Sequence, residues 1–201
     1  MVISLLYLLR GSIVRQSFNH SASKPPAHWL PNVKCLPSPN YNLRPAGACV
    51  NLLVIHNISL PCGHYGGGHI EQLFLNCLDC SVHQSFSDLQ NVEVSSHLLI
   101  DRVGEVTQFV PLNYRAWHAG ESSYQGCFGC NDFSIGIELE GSDNDPYTSM
   151  QYQALIELTH SIMKVYPDIT ANRIVGHCEI APKRKTDPGP AFDWKVYLDQ
   201  L

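Results

Sequence analysis

The stretch Val50-Asn51-Leu52-Leu53-Val54-Ile55-His56 constrains the fold more than any other. It is a nearly continuous apolar run ending in a histidine. A run apolar on both registers suits a buried central strand rather than a half-solvated one. Such a strand would deliver His56 at its tip.

A second stretch, His177 to Pro190, limits what can stand beside it. It offers His177, Lys185 and Asp187, then Pro188-Gly189-Pro190. The prolines and glycine bar a helix or a central strand, so a rigid loop with reactive side chains is expected. An imidazole and a carboxylate can ligate zinc, and a lysine can steady a developing negative charge. A metal site needs a further ligand, and His56 is the candidate.

Read in order, residues 11–48 are rich in Ser, Asn and Pro, an extended lead-in anchored by Trp29 and Leu30. Residues 59–68 carry four glycines and two of their neighbours are Pro61 and Cys62. The Lys-Ser/Thr of a phosphate cradle is missing, so this loop is expected to rim a groove. Helical spacing marks 69–76. Residues 94–100 and 105–110 read as strands joined by a turn at Asp101-Arg102-Val103-Gly104. Residues 133–140 alternate, with Phe133, Ile135, Ile137 and Leu139 on one register and Ser134, Gly136, Glu138 and Glu140 on the other. Thr148-Ser149-Met150-Gln151 fits a capping box. The stripe Tyr152, Leu155, Ile156, Thr159, Ile162, Met163 and Tyr166 follows, and Pro167 ends it. A short strand over 173–177 ends in His177, and 192–201 reads as a terminal helix. This order predicts an α/β domain with a mixed central sheet flanked by helices.

With 201 residues, 44% of them apolar, the chain can fill one sizeable core. Its net charge of −5 and 15% charged residues lack the basic stripe of a nucleic-acid binder. An enzyme for small or medium substrates fits better. Eight cysteines could imply disulfides in a short exported chain. A domain of this size has no need of them, and reduced thiols in the cytoplasm are expected. The pairs Cys77/Cys80 and Cys127/Cys130 lie too far apart for a zinc ribbon. The apolar Met1–Leu9 run is followed, not preceded, by Arg10 and is too short to span a bilayer, so no export signal or membrane partner is expected. Residues 1–28 read as an extension of no assigned role and 29–201 as the domain.

Two imidazoles and one carboxylate (His56, His177 and Asp187) leave a tetrahedral position open for water on zinc. Glu138 can move a proton from water to a leaving nitrogen, and Lys185 can stabilise an oxyanion. Together these parts describe amide hydrolysis. Structural readings stand beside them. A histidine at a strand end is more often hydrogen-bonded than metal-bound. Ten histidines make chance spacings easy. Asp187 before a proline suits an Asx turn, Glu138 a solvated strand, and Lys185 a charged run.

Several motifs go further. Pro37-Ser38-Pro39-Asn40-Tyr41, Val54-Ile55-His56-Asn57-Ile58-Ser59-Leu60-Pro61, Arg115-Ala116-Trp117-His118-Ala119-Gly120, Asn131 to Gly141 and Gly176 to Trp194 together resemble the 1,6-anhydro-N-acetylmuramyl-L-alanine amidases of the zinc amidase and peptidoglycan-recognition superfamily. The resemblance runs from Leu30 to near the C-terminus. It implies zinc on His56, His177 and Asp187, Glu138 as acid/base and Lys185 as oxyanion stabiliser. It implies release of the stem peptide from the lactyl group of anhydro-muramic acid during cytoplasmic wall recycling, an activity that lowers the β-lactamase-inducing muropeptide signal in some bacteria. The partner implied is a muropeptide bound by a monomer. Asn57, Trp117, His118 and Ala119 are its candidate contacts, with core packing the alternative for Trp117. Elsewhere in the superfamily a Tyr stands where Ser96 falls, which would leave Glu138 more of the proton transfer. Family members often have basic residues near Glu93 and Gly129, so peptide preference is where this chain departs. The rival readings are a peptidoglycan-binding module without catalysis, an exported wall amidase, and a redox role for the paired cysteines.

Overall fold

The computed structural model describes residues 28–201. Of the extension read over residues 1–28, the first 27 lie outside that range. The strands are β1 Lys34–Cys35, β2 Tyr41–Asn42, β3 Leu52–Ile58, β4 Leu98–Ile100, β5 Val106–Gln108, β6 Arg115–Ala116, β7 Ser123–Tyr124, β8 Cys127–Phe128, β9 Ser134–Glu140 and β10 Ile174–Gly176. The helices are α1 His69–Phe74, α2 Ser149–Val165, α3 His177–Ile180 and α4 Trp194–Leu198. Six strands form a mixed sheet in the order β1-β5-β4-β9-β3-β10. β9 lies at its middle and pairs in parallel with β4 on one side and β3 on the other. The expected α/β class with a mixed central sheet is what the chain adopts.

The sheet divides its residues by parity. Leu53 and Ile55 of β3 and Ile135, Ile137 and Leu139 of β9 pack on Leu155, Leu158 and Ile162 of α2 and Tyr197 of α4. On the opposite face, Leu52 and Val54 meet Ala119, Cys130, Val175 and Ile180. The run over 50–56 is therefore apolar on both registers because both faces are covered, as parallel strands require. β9 is also buried along its whole length. Its alternation does not mark a solvated register, and the reading of Glu138 as a solvated strand carboxylate fails.

Helix α2 opens with the expected capping box. Thr148 Oγ1 accepts from the Gln151 amide at 3.1 Å, and Gln151 Oε1 accepts from the Thr148 amide at 3.1 Å. The Gln151 side-chain amide also donates to the Glu140 carbonyl at 2.9 Å, tying the helix to β9. The buried stripe is Gln151, Leu155, Leu158, Thr159 and Ile162. Tyr152, Ile156 and Met163 only flank the core.

The turn at 101–104 joins antiparallel β4 and β5, with Ile100 opposite Val106. Both strands are shorter than their sequence patterns. Ser96 and His97 lie outside β4 and bond to β9 through side chains, while Ser95 Oγ donates to the Asn40 carbonyl at 2.6 Å. Ser96 Oγ donates to the Gly136 carbonyl at 2.8 Å, and the Gly136 amide donates to His97 Nδ1 at 3.0 Å. The described part of the lead-in, residues 28–48, runs along the domain. β1 pairs with β5, β2 with β6, and the Arg44 guanidinium enters the interior. It donates to the carbonyls of Asn131, Asp132, Leu112 and Ser134 at 2.8–3.1 Å. Burial lowers its pKa to about 10.

Candidate active site

His56 and Glu138 are opposite one another in the β3–β9 register. Parallel pairing points both side chains to the same face, away from α2. His56 is the fifth of the seven residues of β3, so it lies within the strand and not at the tip. His177 follows β10, which pairs with β3 on its other side. It opens α3 instead of ending the strand. Asp187 is brought back alongside it by the loop: the Cys178 amide donates to the Asp187 carbonyl at 2.9 Å. Gly176 makes that return possible, since a Cβ there would stand 2.7 Å from Pro188 Cδ.

The result is a triangle. His56 Nδ1 and His177 Nδ1 are 2.9 Å apart, and Asp187 Oδ2 is 3.1 Å from the first and 3.0 Å from the second. His56, His177 and Asp187 are all buried. The His177 Nε2–H donates to the Ala119 carbonyl at 3.1 Å, which leaves Nδ1 with its lone pair towards the triangle. Burial lowers the His56 pKa to about 4, so His56 is neutral near pH 7. Burial works to raise Asp187, but the adjacent His177 and His56 rings outweigh it and hold the carboxyl below the ordinary range. Two imidazoles and a carboxylate thus converge. A tetrahedral ion with bonds of about 2.0–2.2 Å needs donors about 3.3–3.6 Å apart. The triangle is a few tenths of an ångström tighter, so the donor set and its convergence fit a metal after slight expansion. Among the described residues no other cluster of three or more His, Cys, Asp or Glu converges in this way. The described cysteines are all free, and none joins a metal cluster.

Glu138 sits beside the triangle, 8% exposed, and its Oε2 has no hydrogen-bond partner. Burial raises its pKa well above the ordinary value, the nearby Asp187 charge raises it further, and Lys185 pulls it back. Lys185 is itself half-buried on the returning loop.

The proposed substrate contacts separate. Asn57 donates both amide hydrogens within the protein, to Asp143 Oδ1 at 2.9 Å and the Pro188 carbonyl at 3.0 Å. Only its oxygen is left to face outwards. Trp117 is half-buried, and its indole N–H donates to Asn42 Oδ1 at 2.8 Å. His118 has both ring nitrogens engaged, Nδ1 with His56 Nε2 at 2.9 Å and Nε2 with Ser134 Oγ at 3.2 Å. Ala119 is a correction. It is fully buried, and its carbonyl accepts from His177 and from Arg184 Nη2 at 2.7 Å. It holds the His177 ring in place and cannot offer its side chain to a substrate.

A match to the N-acetylmuramoyl-L-alanine amidase family model covers residues 46–190. The chain belongs to that family. The amidase 1,6-anhydro-N-acetylmuramyl-L-alanine amidase AmpD of Escherichia coli is 54% identical over 166 residues, spanning 83% of this chain and 90% of that one. A crystal structure of a Se-Met AmpD derivative superposes with a TM-score of 0.85 at 50% identity, covering 88% of this chain and 98% of that one. A complex of the amidase AmiD from E. coli with the substrate anhydro-N-acetylmuramic acid-L-Ala-D-gamma-Glu-L-Lys matches with a TM-score of 0.56 at 34% identity, covering 77% and 59% of the two chains.

Sequence reasoning missed the amidase's supporting side chains. Arg44, His97, Asn131 and Ser134 each bind backbone or site groups; Asn131 and Ser134 fall within a motif that gave them no role, and Arg44 and His97 lie in no recognisable spacing. Asn131 Oδ1 accepts from the His118 and Ala119 amides at 3.1 and 2.8 Å and so fixes the loop that carries both. Among the described residues no helix is long and apolar enough to cross a membrane.

Proposed function

We propose that this chain is a zinc-dependent amidase acting as a cytoplasmic monomer in peptidoglycan recycling. It hydrolyses the amide between the lactyl group of 1,6-anhydro-N-acetylmuramic acid and the L-alanine of the stem peptide. The observation that carries this reading is the triangle of His56, His177 and Asp187 beside an unpartnered Glu138. The substrate reading is supported by the likeness to the 1,6-anhydro-N-acetylmuramyl-L-alanine amidase of E. coli and by the anhydro-muramyl peptide bound in the AmiD complex.

His56 Nδ1, His177 Nδ1 and Asp187 Oδ2 would hold the zinc. Bound there, zinc supplies Lewis-acid polarisation of the scissile carbonyl and acidifies water. Glu138 Oε2 takes a proton from the attacking water and delivers it to the alanine nitrogen as the C–N bond breaks. Water is consumed, and the products are a lactyl carboxylate and a free α-amino group. A carboxyl whose pKa is raised by burial suits a group that must hold that proton near neutrality. The Lys185 ammonium balances the charge growing on the carbonyl oxygen. Trp117 presents its indole face, and Asn57 its oxygen, to the substrate.

Mass spectrometry of an anhydro-muramyl-tripeptide incubated with the protein tests this. Free tripeptide should form, cease with a chelator and return with added zinc. Intact substrate in the zinc-replete protein would favour a binding module without catalysis.

A further inference from the structure

His118 has no role in the chemistry above, yet its ring is built into the site from every side. It meets the His56 ring edge-on, with centroids 5.0 Å apart. Beneath it lies Gly136 of β9, where a Cβ would come within 2.5 Å of His118 Nδ1 and 2.6 Å of its Cγ. Any other residue at 136 would displace the ring.

The hydrogen bonds around His118 have one consistent direction. Ser134 Oγ lies 2.6 Å from the Cys130 carbonyl, which can only accept. The single hydroxyl hydrogen therefore points at Cys130. Towards His118 Nε2, 3.2 Å away, Ser134 Oγ can only accept, so Nε2 carries the ring hydrogen. His118 Nδ1 is then the lone-pair nitrogen, and the contact with His56 Nε2 at 2.9 Å requires that His56 be the donor. His56 Nε2 holds its hydrogen, and Nδ1 faces the triangle with a lone pair. For His177 a backbone carbonyl does the same work directly, through Ala119.

We infer that His118 is a positioning residue: together with Ser134 and the Cys130 carbonyl it forms a relay that fixes the tautomer and orientation of His56 as a metal ligand. This rests on the zinc site proposed above. It also removes the ring nitrogens of His118 from the substrate contacts expected of them. The relay needs no charge change and no proton transfer. Its effect is that His56 presents a lone pair without first giving up a hydrogen, as partners behind a metal-bound histidine generally ensure.

The test has two parts. In zinc-loaded protein labelled with ¹⁵N, two-bond imidazole correlations should show His118 with hydrogen on Nε2 and none on Nδ1, and His56 with hydrogen on Nε2. Chelator competition should show His118→Phe binding zinc about 10–100-fold more weakly. His118→Asn, whose oxygen can replace Nδ1 as acceptor, should recover most of that loss. Circular dichroism of the metal-free variants reports folding. If His118→Phe does not fold, Ser134→Ala replaces it. That variant should weaken zinc binding and let His118 populate the other tautomer. Hydrogen on His118 Nδ1 in the zinc-loaded protein, or unchanged zinc affinity in a folded His118→Phe, overturns the relay alone. A wild-type protein that takes up no zinc overturns the metal site and the relay together.

Discussion

Glu138 and Glu140 stand two positions apart on β9, on the same face, and both are buried, at 8% and 5% exposure. Their surroundings differ completely. Glu140 Oε1 accepts from the Gly66 amide at 2.6 Å, and Oε2 accepts from the Arg102 amide at 3.3 Å. Arg102 also lies over the ring of Tyr65, whose hydroxyl donates to Asp145. Glu140 thus pins the glycine-rich loop to the strand. Glu138 has one oxygen with no partner at all. A buried carboxylate that is fully hydrogen-bonded is structural, whereas one left unsatisfied marks a place where the protein is completed by something else. The same contrast separates the histidines. His97 has a donor at one nitrogen and an acceptor at the other, the Gly136 amide and the Tyr114 carbonyl, while the His56 and His177 Nδ1 atoms crowd a carboxylate.

The largest effect should come from breaking the unsatisfied side. Glu138→Gln is expected to lower kcat about 10²–10⁴-fold, the usual worth of a general acid/base, while its thermal midpoint stays level or rises. Turnover within tenfold of wild type would remove Glu138 from the proton transfer. The effect of acid on the satisfied side comes next. Burial and the Arg44 charge hold His97 at about 3, against 6.5 for a free imidazole. Below pH 6.5 the unfolded chain binds a proton that the fold refuses until about pH 3. Stability contributed by neutral His97 is therefore complete above pH 6.5 and falls with decreasing pH across that window, by about 1.4 kcal/mol per unit. Urea unfolding of metal-free protein at several pH values should show this slope, and His97→Asn should make it shallower by one proton.

Glu140→Gln should reverse the pattern of Glu138→Gln, losing about 1–3 kcal/mol of stability through an unpaired loop amide with a much smaller change in kcat. If both variants lose activity and keep stability, the contrast between the two carboxylates is wrong. The smallest effect is expected from Trp117→Phe. It loses one hydrogen bond to Asn42, about 1 kcal/mol, and keeps an aromatic face, so any rise in KM beyond a few-fold would assign the indole N–H to the substrate.

Local signals carried the parts of this structure that are local. The apolar run gave β3, the capping box gave the start of α2, and Pro188-Gly189-Pro190 gave a loop rather than a helix. The amidase motifs marked the residues that form the triangle. What could not be read depends on partners distant in sequence. β1, β2, β6, β7 and β8 are two residues each, too short for any period to develop. The burial of Glu138 and Glu140 follows from the packing of chain over the second face of the sheet, which alternation on one strand cannot reveal. His97, Ser96 and Ser134 act through bonds to backbone groups or to one ring, and a lone Ser or His in a sequence gives no sign of that.

One consequence concerns how the chain is tied together. His56 and Asp187 meet across 131 positions of sequence, and His177 meets His56 across 121. Any bond bridging them closes nearly the whole domain into a loop, fastening the C-terminal segment to a strand laid down early in the chain. An ion in that place would act as a removable clasp, much as a long-range disulfide restricts the unfolded chain. Chelation should then do more than stop turnover: it should free the loop around Lys183 and Arg184 first, and a protease that cuts after basic residues would find it there.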